Sequence, residues 1–96
     1  MPRYLIERTF PSQPNLPAAD WDRSAWLSFI ENNDLDSVTW LFSYVTPEHQ
    51  KSYCICDAPT PEAVRRAARR NRLPIDRIVE IQVLEPYSFT GQPARE

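Results

Sequence analysis

The sequence predicts an α+β domain whose elements run β-α-β-β-α-β, with four antiparallel strands in one sheet and two helices on one face. Three observations carry this prediction. Four short stretches have the alternation or the β-branched and aromatic content of strands, two others repeat apolar residues at helical spacing, and each helix lies between two strands. The chain has 96 residues, enough for one domain. We expect that domain at residues 1–86 and a C-terminal tail, flexible or packed on a partner, at 87–96.

The first half of the chain supplies a strand, a helix and a second strand. Side chains alternate along residues 3–10, RYLIERTF, and the three prolines of PSQPNLPAAD end that strand. Asp20 is placed to cap a helix that runs to about Asn33, with an apolar stripe that includes Trp26. Residues 37–45, SVTWLFSYV, form the clearest strand because they are rich in aromatic and β-branched side chains.

The second half repeats this order. Residues 51–57, KSYCICD, are a strand that pairs with the preceding one in a hairpin. Thr60 and Pro61 give a helix its cap and its first-turn proline, and Asn71 ends it. Residues 77–84, RIVEIQVL, form the last strand. This is the ferredoxin-like plan; a six-element sandwich with another strand order is the alternative, which fits the element lengths less well.

Composition limits the classes of function. Hydrophobic residues make up 42% of the chain, which is typical of a globular protein, and a formal net charge of −2 gives no indication of nucleic-acid binding. No apolar run is long enough to span a membrane, and no signal peptide is evident at the N-terminus. We therefore expect a cytoplasmic protein whose two cysteines are reduced.

The sheet face away from the helices is the predicted interaction surface. Alternation along the first and last strands places Glu7 and Glu80 there, close to one another, with Val79 and Ile81 under the helices. The aromatic residues of the second strand, among them Trp40 and Tyr44, are expected on the same open face as one large apolar patch. Two copies would then pair their open faces as a dimeric α/β barrel. Trp40 and Tyr44 would contact a ligand or cofactor in the space between the two sheets.

Cys54 and Cys56 are two residues apart on a strand, so they share a face. Alternate strand positions lie roughly 6.5–7 Å apart, which is at the long edge of disulfide geometry. A thiolate metal site usually collects three or four ligands, and His49, in the hairpin turn, is the chain's one histidine. The interpretation favoured by the residues is that both cysteines pack against a helix as small apolar side chains.

Three blocks of sequence resemble a bacterial family of small ferredoxin-like proteins known as the nickel-binding protein family. They are YLIER near the start, the Y-C-x-x-D-A-P block at residues 53–59, and PxDRIxE at residues 74–80, in the same order as in the family. The resemblance covers about residues 1–86. Members often carry histidine just after the YLIER block, where this chain has Thr9, and an aromatic residue where this chain has Cys56.

The resemblance implies a homodimer and Ni²⁺ held at the sheet, without implying a reaction. If a metal binds, we expect Glu7, Glu80, Cys54 and His49 from two chains to share it, because nickel favours imidazole with carboxylate or thiolate support. The leading hypothesis is thus a small dimeric binding protein for a divalent metal or a small apolar ligand. The alternative is a dimeric α/β-barrel enzyme, of the small oxygenase or isomerase type, in which one of the two glutamates acts as general base. A protein that binds another protein through its arginine-rich helix or its open face is a third class, which the residues neither favour nor oppose.

Overall fold

The computed structural model describes residues 1–10 and 22–91, except for the side chains of Ser88 and Phe89. One antiparallel sheet has the strand order β2-β3-β1-β4, and its strands are β1 (Arg3–Thr9), β2 (Thr39–Val45), β3 (Lys51–Asp57) and β4 (Arg77–Ile81). Three helices are α1 (Arg23–Asp34), α2 (Pro61–Arg70) and the short α3 (Pro86–Thr90). The predicted ferredoxin-like order is therefore confirmed, with β1 and β4 as neighbours. No helix in the described ranges has the length and apolar character needed to cross a bilayer.

Each long helix begins at a side-chain cap. The Thr60 side chain accepts a hydrogen bond of 3.1 Å from the Ala63 amide, and Asn71 is the C-cap, as predicted for α2. The cap of α1 is Asp22, which accepts a bond of 2.9 Å from the Ala25 amide. The predicted cap, Asp20, lies outside the described residues, as does the proline-rich segment before it.

The two helices are joined to each other and to the start of β2. Asn71 at the end of α2 donates a hydrogen bond of 3.0 Å to buried Asn33 on α1. Asp36, just before β2, accepts bonds of 2.9 Å from both Arg66 and Arg70 on α2. These two guanidinium groups hold the pKa of Asp36 below its usual value through their hydrogen bonds. Part of the arginine-rich face of α2 thus anchors the helix to the chain before β2.

The core lies between the helices and the sheet. Its buried members from β1, β3 and α2 include Tyr4, Ile6, Cys56 and Val64. Cys54 and Cys56 are both buried, free members of this core, as predicted, although the Cys54 sulfur also accepts a hydrogen bond from Arg8.

The predicted facing of β4 is wrong. Tyr4, under the helices, pairs directly with Glu80, whereas Leu5, on the open face, pairs with Val79. Directly paired residues share a face, so Glu80 lies on the helix side and Val79 on the open side. Apolar residues occur on both faces of β4, so alternation within that strand does not identify its buried face. The pairing of β4 with β1 does.

A register shift in β2 separates residues that alternation would place together. Trp40 pairs with Cys56 and Phe42 pairs with Ile55, so one extra residue of β2 lies between these two pairs. A bulge of this kind exchanges the two faces of the strand beyond it. Trp40 is therefore on the helix side, whereas Phe42 and Tyr44 are on the open face, and the prediction of one three-residue aromatic patch is wrong.

Candidate ligand cavity

A cavity of about 410 Å³ lies on the helix side of the sheet, between the strands and both long helices. Its floor includes Ile6 and Cys54 of the central strands, and its α2 wall includes Val64 and Ala68. Small side chains on α2 keep the helix from filling this space. A volume of this order is typical of sites for small molecules.

An aromatic cluster forms the α1 side of the cavity. The rings of Trp26 and Trp40 stack with centroids 5.2 Å apart, and Phe29 meets Trp40 edge-on at 5.1 Å. The Trp40 indole nitrogen donates a hydrogen bond of 2.8 Å to the Ser43 hydroxyl, which fixes the ring. The bulge in β2 is what turns Trp40 toward this cluster. The cavity therefore has a rigid apolar wall.

Arg8 brings a positive charge into this apolar space. Its side chain lines the cavity and Arg8 is only 7% exposed. Nη1 donates a hydrogen bond to the Cys54 sulfur at 2.9 Å, whereas Nε is buried and has no hydrogen-bond partner in the described part of the chain. A buried guanidinium is normally paired with a carboxylate, since burial without a counter-charge costs free energy.

The other polar side chains at the cavity are neutral or sit at its edge. Asn33 and Asn71 line it near the helix ends, and Ser52 and His49 line it near the β2–β3 hairpin. His49 is an exposed turn residue, as predicted, with φ of 60°. Among the described residues that line the cavity, none is Asp or Glu.

The two cysteines differ in their surroundings although they share a face. Burial raises the pKa of Cys56 to about 11, an effect that nearby Arg8 partly opposes. Cys54 lies beside the Arg8 guanidinium and its sulfur is also 3.7 Å from the Ser52 hydroxyl. Both line the cavity, but the polar neighbours are at Cys54.

Glu7, one of the four predicted metal ligands, lies on the open face in an ion pair. Its carboxylate accepts a bond of 2.9 Å from the Lys51 ammonium, and this bond raises the pKa of Lys51. Thr9, at the position where the resemblance expects histidine, is paired with Lys51 across the strands and donates a hydrogen bond to Asp76. The Lys51 ammonium neutralises Glu7, which disfavours a second cation at this carboxylate.

The other three predicted ligands are not gathered around Glu7. Glu80 is on the helix side at the sheet edge, where it borders a separate groove with Arg3 and Asp57. Cys54 and His49 line the cavity, next to the positive charge of Arg8. The described residues contain no cluster of three or more His, Cys, Asp or Glu side chains placed to hold a metal. The predicted proximity of Glu7 and Glu80 is thus wrong, because the β1–β4 register sends them to opposite faces.

The predicted ligand contacts Trp40 and Tyr44 also lie on opposite faces. Trp40 borders the cavity, whereas Tyr44 is exposed on the open side and packs edge-on against Phe42 with centroids 5.5 Å apart. Sequence reasoning did not identify Arg8 as a site residue. The signal was present in RYLIERTF, where a charged residue takes a position in the same alternating series as Tyr4 and Ile6.

Comparisons with known proteins give a family model and a structure of the same fold. The model of the nickel-responsive, SCO4226-like proteins matches residues 4–81. The crystal structure of SCO4226 from Streptomyces coelicolor A3(2) superposes with a TM-score of 0.67 at 18% identity, over 86% of this chain and 99% of that one. Curated proteins gave no match. The structural likeness supports the fold, and the family model covers most of the domain.

Proposed function

Because the chain belongs to the family of nickel-responsive, SCO4226-like proteins, we propose that it is a small binding protein whose ligand occupies the cavity between the helices and the sheet. The observation that carries this proposal is the cavity of about 410 Å³ with buried Arg8 in its wall. Apolar walls with a small number of fixed polar groups are typical of small-molecule sites. The site lies on the opposite side of the sheet from the space that the sequence predicted.

The protein works as a homodimer in this proposal. The open face carries apolar side chains from all four strands, among them Leu5, Ile55, Val79 and the exposed rings of Phe42 and Tyr44. An apolar sheet face of this kind is a typical protein interface. The flanking charges Arg3–Asp57 and Lys51–Glu7 are paired within the chain, which leaves the face free of uncompensated charge from these four residues.

Nickel binding between two copies is the second candidate, and the family's name favours it. Glu7 is the one predicted ligand on the open face, where a second copy could add its own. Within the described part of one chain the residues do not fit a nickel site, because Lys51 neutralises Glu7 and His49 lines the cavity on the helix side of the sheet. Any nickel site therefore needs the partner chain, with Glu80, Cys54 and His49 outside it.

Binding is favoured over catalysis by the make-up of the cavity. The enzyme alternative needs Glu7 or Glu80 as a general base in the pocket, and neither lines this cavity. The described lining residues supply no carboxylate for that role.

Titration with a neutral fluorescent apolar dye, N-phenyl-1-naphthylamine, tests the cavity. We expect saturable binding to the wild type and weaker binding to Ala68→Met, because Ala68 lines the cavity and a longer side chain would fill part of it. Arg69→Met is the matched control, since Arg69 is the exposed next residue of α2. Equal binding by all three proteins would remove the cavity as the site.

Native mass spectrometry of the untagged protein tests the homodimer and the second candidate. We expect a dimer, and if nickel binds between copies, stoichiometric Ni²⁺ uptake by the dimer that Glu7→Gln abolishes. A monomer across the micromolar range would contradict the dimer, and a dimer without Ni²⁺ uptake would remove the shared metal site.

A further inference from the structure

Two arginines on β1 differ in what holds their charge. Arg3, on the open face, donates from Nε and Nη2 to the two carboxylate oxygens of Asp57 at 2.8 and 3.2 Å. Arg8, on the helix face, donates only from Nη1, to Cys54, and its Nε has no partner among the described residues. Arg3 is thus paired with a carboxylate, whereas the partner that the described residues give Arg8 is a thiol.

The guanidinium of Arg8 defines the chemistry of a ligand. Nε and Nη2 of a guanidinium present two parallel N–H groups that match the two oxygens of a carboxylate. We infer that the cavity binds a small organic monocarboxylate, with the carboxylate at the Arg8 guanidinium and an apolar body along the aromatic wall. This inference rests on the proposed function and adds the class of ligand to it.

The surroundings of Arg8 favour an anion over a neutral ligand. No Asp or Glu among the described residues lines the cavity, so the described lining supplies no counter-charge for the guanidinium. Burying an unpaired charge is costly, and a ligand carboxylate would offset that cost in the same low-dielectric space. One guanidinium among neutral polar groups suits a single negative charge. The Trp26–Phe29–Trp40 cluster would pack against the apolar body of the ligand.

Two ligands with the same carbon skeleton distinguish the contribution of the charge to binding from that of the apolar body. Isothermal titration calorimetry at pH 7 would compare octanoate with octanamide, which has the same carbon skeleton and no charge. We expect the wild-type protein to bind octanoate roughly tenfold more tightly, since hydrogen bonds to charged groups are worth more than neutral ones. A tenfold preference is well within what the method resolves.

Variants of Arg8 and Arg3 test which of these arginines causes the preference for octanoate. Arg8→Met keeps an unbranched side chain of similar length without charge, and we expect it to bind the two ligands equally. Arg8→Lys keeps the charge without the fork and should retain only part of the preference. Arg3→Met, on the opposite face of the same strand, is the control and should leave the preference unchanged.

The outcomes distinguish this inference from the proposal on which it rests. Octanoate preference that is lost in Arg8→Met and kept in Arg3→Met supports both. Equal binding of the two ligands by the wild type would overturn the monocarboxylate inference and leave the cavity as an apolar site. Binding of neither ligand or dye by folded protein would overturn both. If Arg8→Met does not fold, the comparison of Arg8→Lys with the wild type decides the inference.

Discussion

The open face and the helix face of the sheet treat charge in opposite ways. On the open face, Arg3 is held by Asp57 and Glu7 by Lys51, so each charge has its partner one strand away. On the helix face, Arg8 is buried beside a thiol and has a donor without a partner in the described chain. Paired charges suit a surface that meets another protein, whereas an unpaired buried charge suits a cavity that meets a ligand.

Truncations at adjacent β1 residues give the largest expected difference between the faces. Ile6→Ala should lower the free energy of unfolding by about 2–5 kcal/mol, because Ile6 is 3% exposed in the core and its loss leaves a void. Leu5→Ala, on the half-buried open face, should cost about 1 kcal/mol at low protein concentration. Urea unfolding at two protein concentrations measures both.

The concentration dependence of the Leu5 variant bears on the homodimer. A dimer through the open face predicts that the cost of Leu5→Ala grows with protein concentration, since mass action adds the interface to stability. A cost that is the same at both concentrations would speak against this interface.

Arg8→Met should stabilise the ligand-free protein. Replacing a buried charge that has no carboxylate partner among the described residues with an unbranched apolar side chain is expected to raise the free energy of unfolding by about 1 kcal/mol. Arg3→Met removes a bidentate ion pair at the surface and should change stability in the opposite direction and by less. Thermal unfolding without ligand measures both variants. A loss of stability in Arg8→Met would mean that the guanidinium is compensated within the fold.

Asp36, just before β2, is a charged residue that is fully paired, in contrast to Arg8, because Arg66 and Arg70 of α2 both bond to it. Hydrogen bonds from Arg66 and Arg70 lower the pKa of Asp36 in the folded state. Its ion pairs therefore stabilise the protein fully at pH values above the ordinary Asp pKa of 3.8. That contribution is lost as pH falls through the lower, folded-state value. We expect wild type to exceed Asp36→Asn in stability at pH 7, with the difference shrinking below about pH 4. A difference that persists in acid would assign the effect to shape rather than charge.

Thiol labelling has the smallest expected effect, and it compares Cys54 with Cys56, which lie on the same face of the sheet. Burial raises the pKa of Cys56 to about 11, so very little thiolate forms there at pH 8. We expect iodoacetamide to label Cys54, which lies beside Arg8, before Cys56 in the native protein. Peptide mass spectrometry over a time course gives the order, with Cys54→Ser as the control that isolates Cys56.

The sequence predicts some elements well because their signals are local. Thr60, Pro61 and Asn71 bound α2 by chemistry that acts within one helical turn, and the order of elements follows from chain length and periodicity. Which face of β4 is buried cannot be predicted from local sequence, since apolar residues occur on both faces. Only the pairing with β1 decides between them. Trp40 was misplaced for a related reason, because a bulge is a property of two paired strands.

The candidate site was harder to predict than the fold. The sequence predicts Cys54 and His49 as metal ligands, whereas the structure places them in the lining of an apolar cavity, and the residue that gives this cavity charge, Arg8, stands in a strand pattern that normally indicates core. A burial pattern shows that a position is enclosed without showing whether its charge is paired. Whether a charge is paired depends on side chains distant in sequence; at Arg8 the hydrogen-bond partner is the Cys54 thiol, not a carboxylate.

The bulge in β2 has a consequence beyond the orientation of Trp40. β2 is an edge strand of the sheet, rich in aromatic and β-branched side chains, and a flat edge of that composition is a template for aggregation. A bulge interrupts the regular row of backbone donors and acceptors and increases the local twist, so an incoming strand finds no continuous ladder to extend. The extra residue of β2 between Trp40 and Phe42 therefore has two effects: it turns the Trp40 indole toward the cavity, and it protects the molecule against edge-to-edge polymerisation.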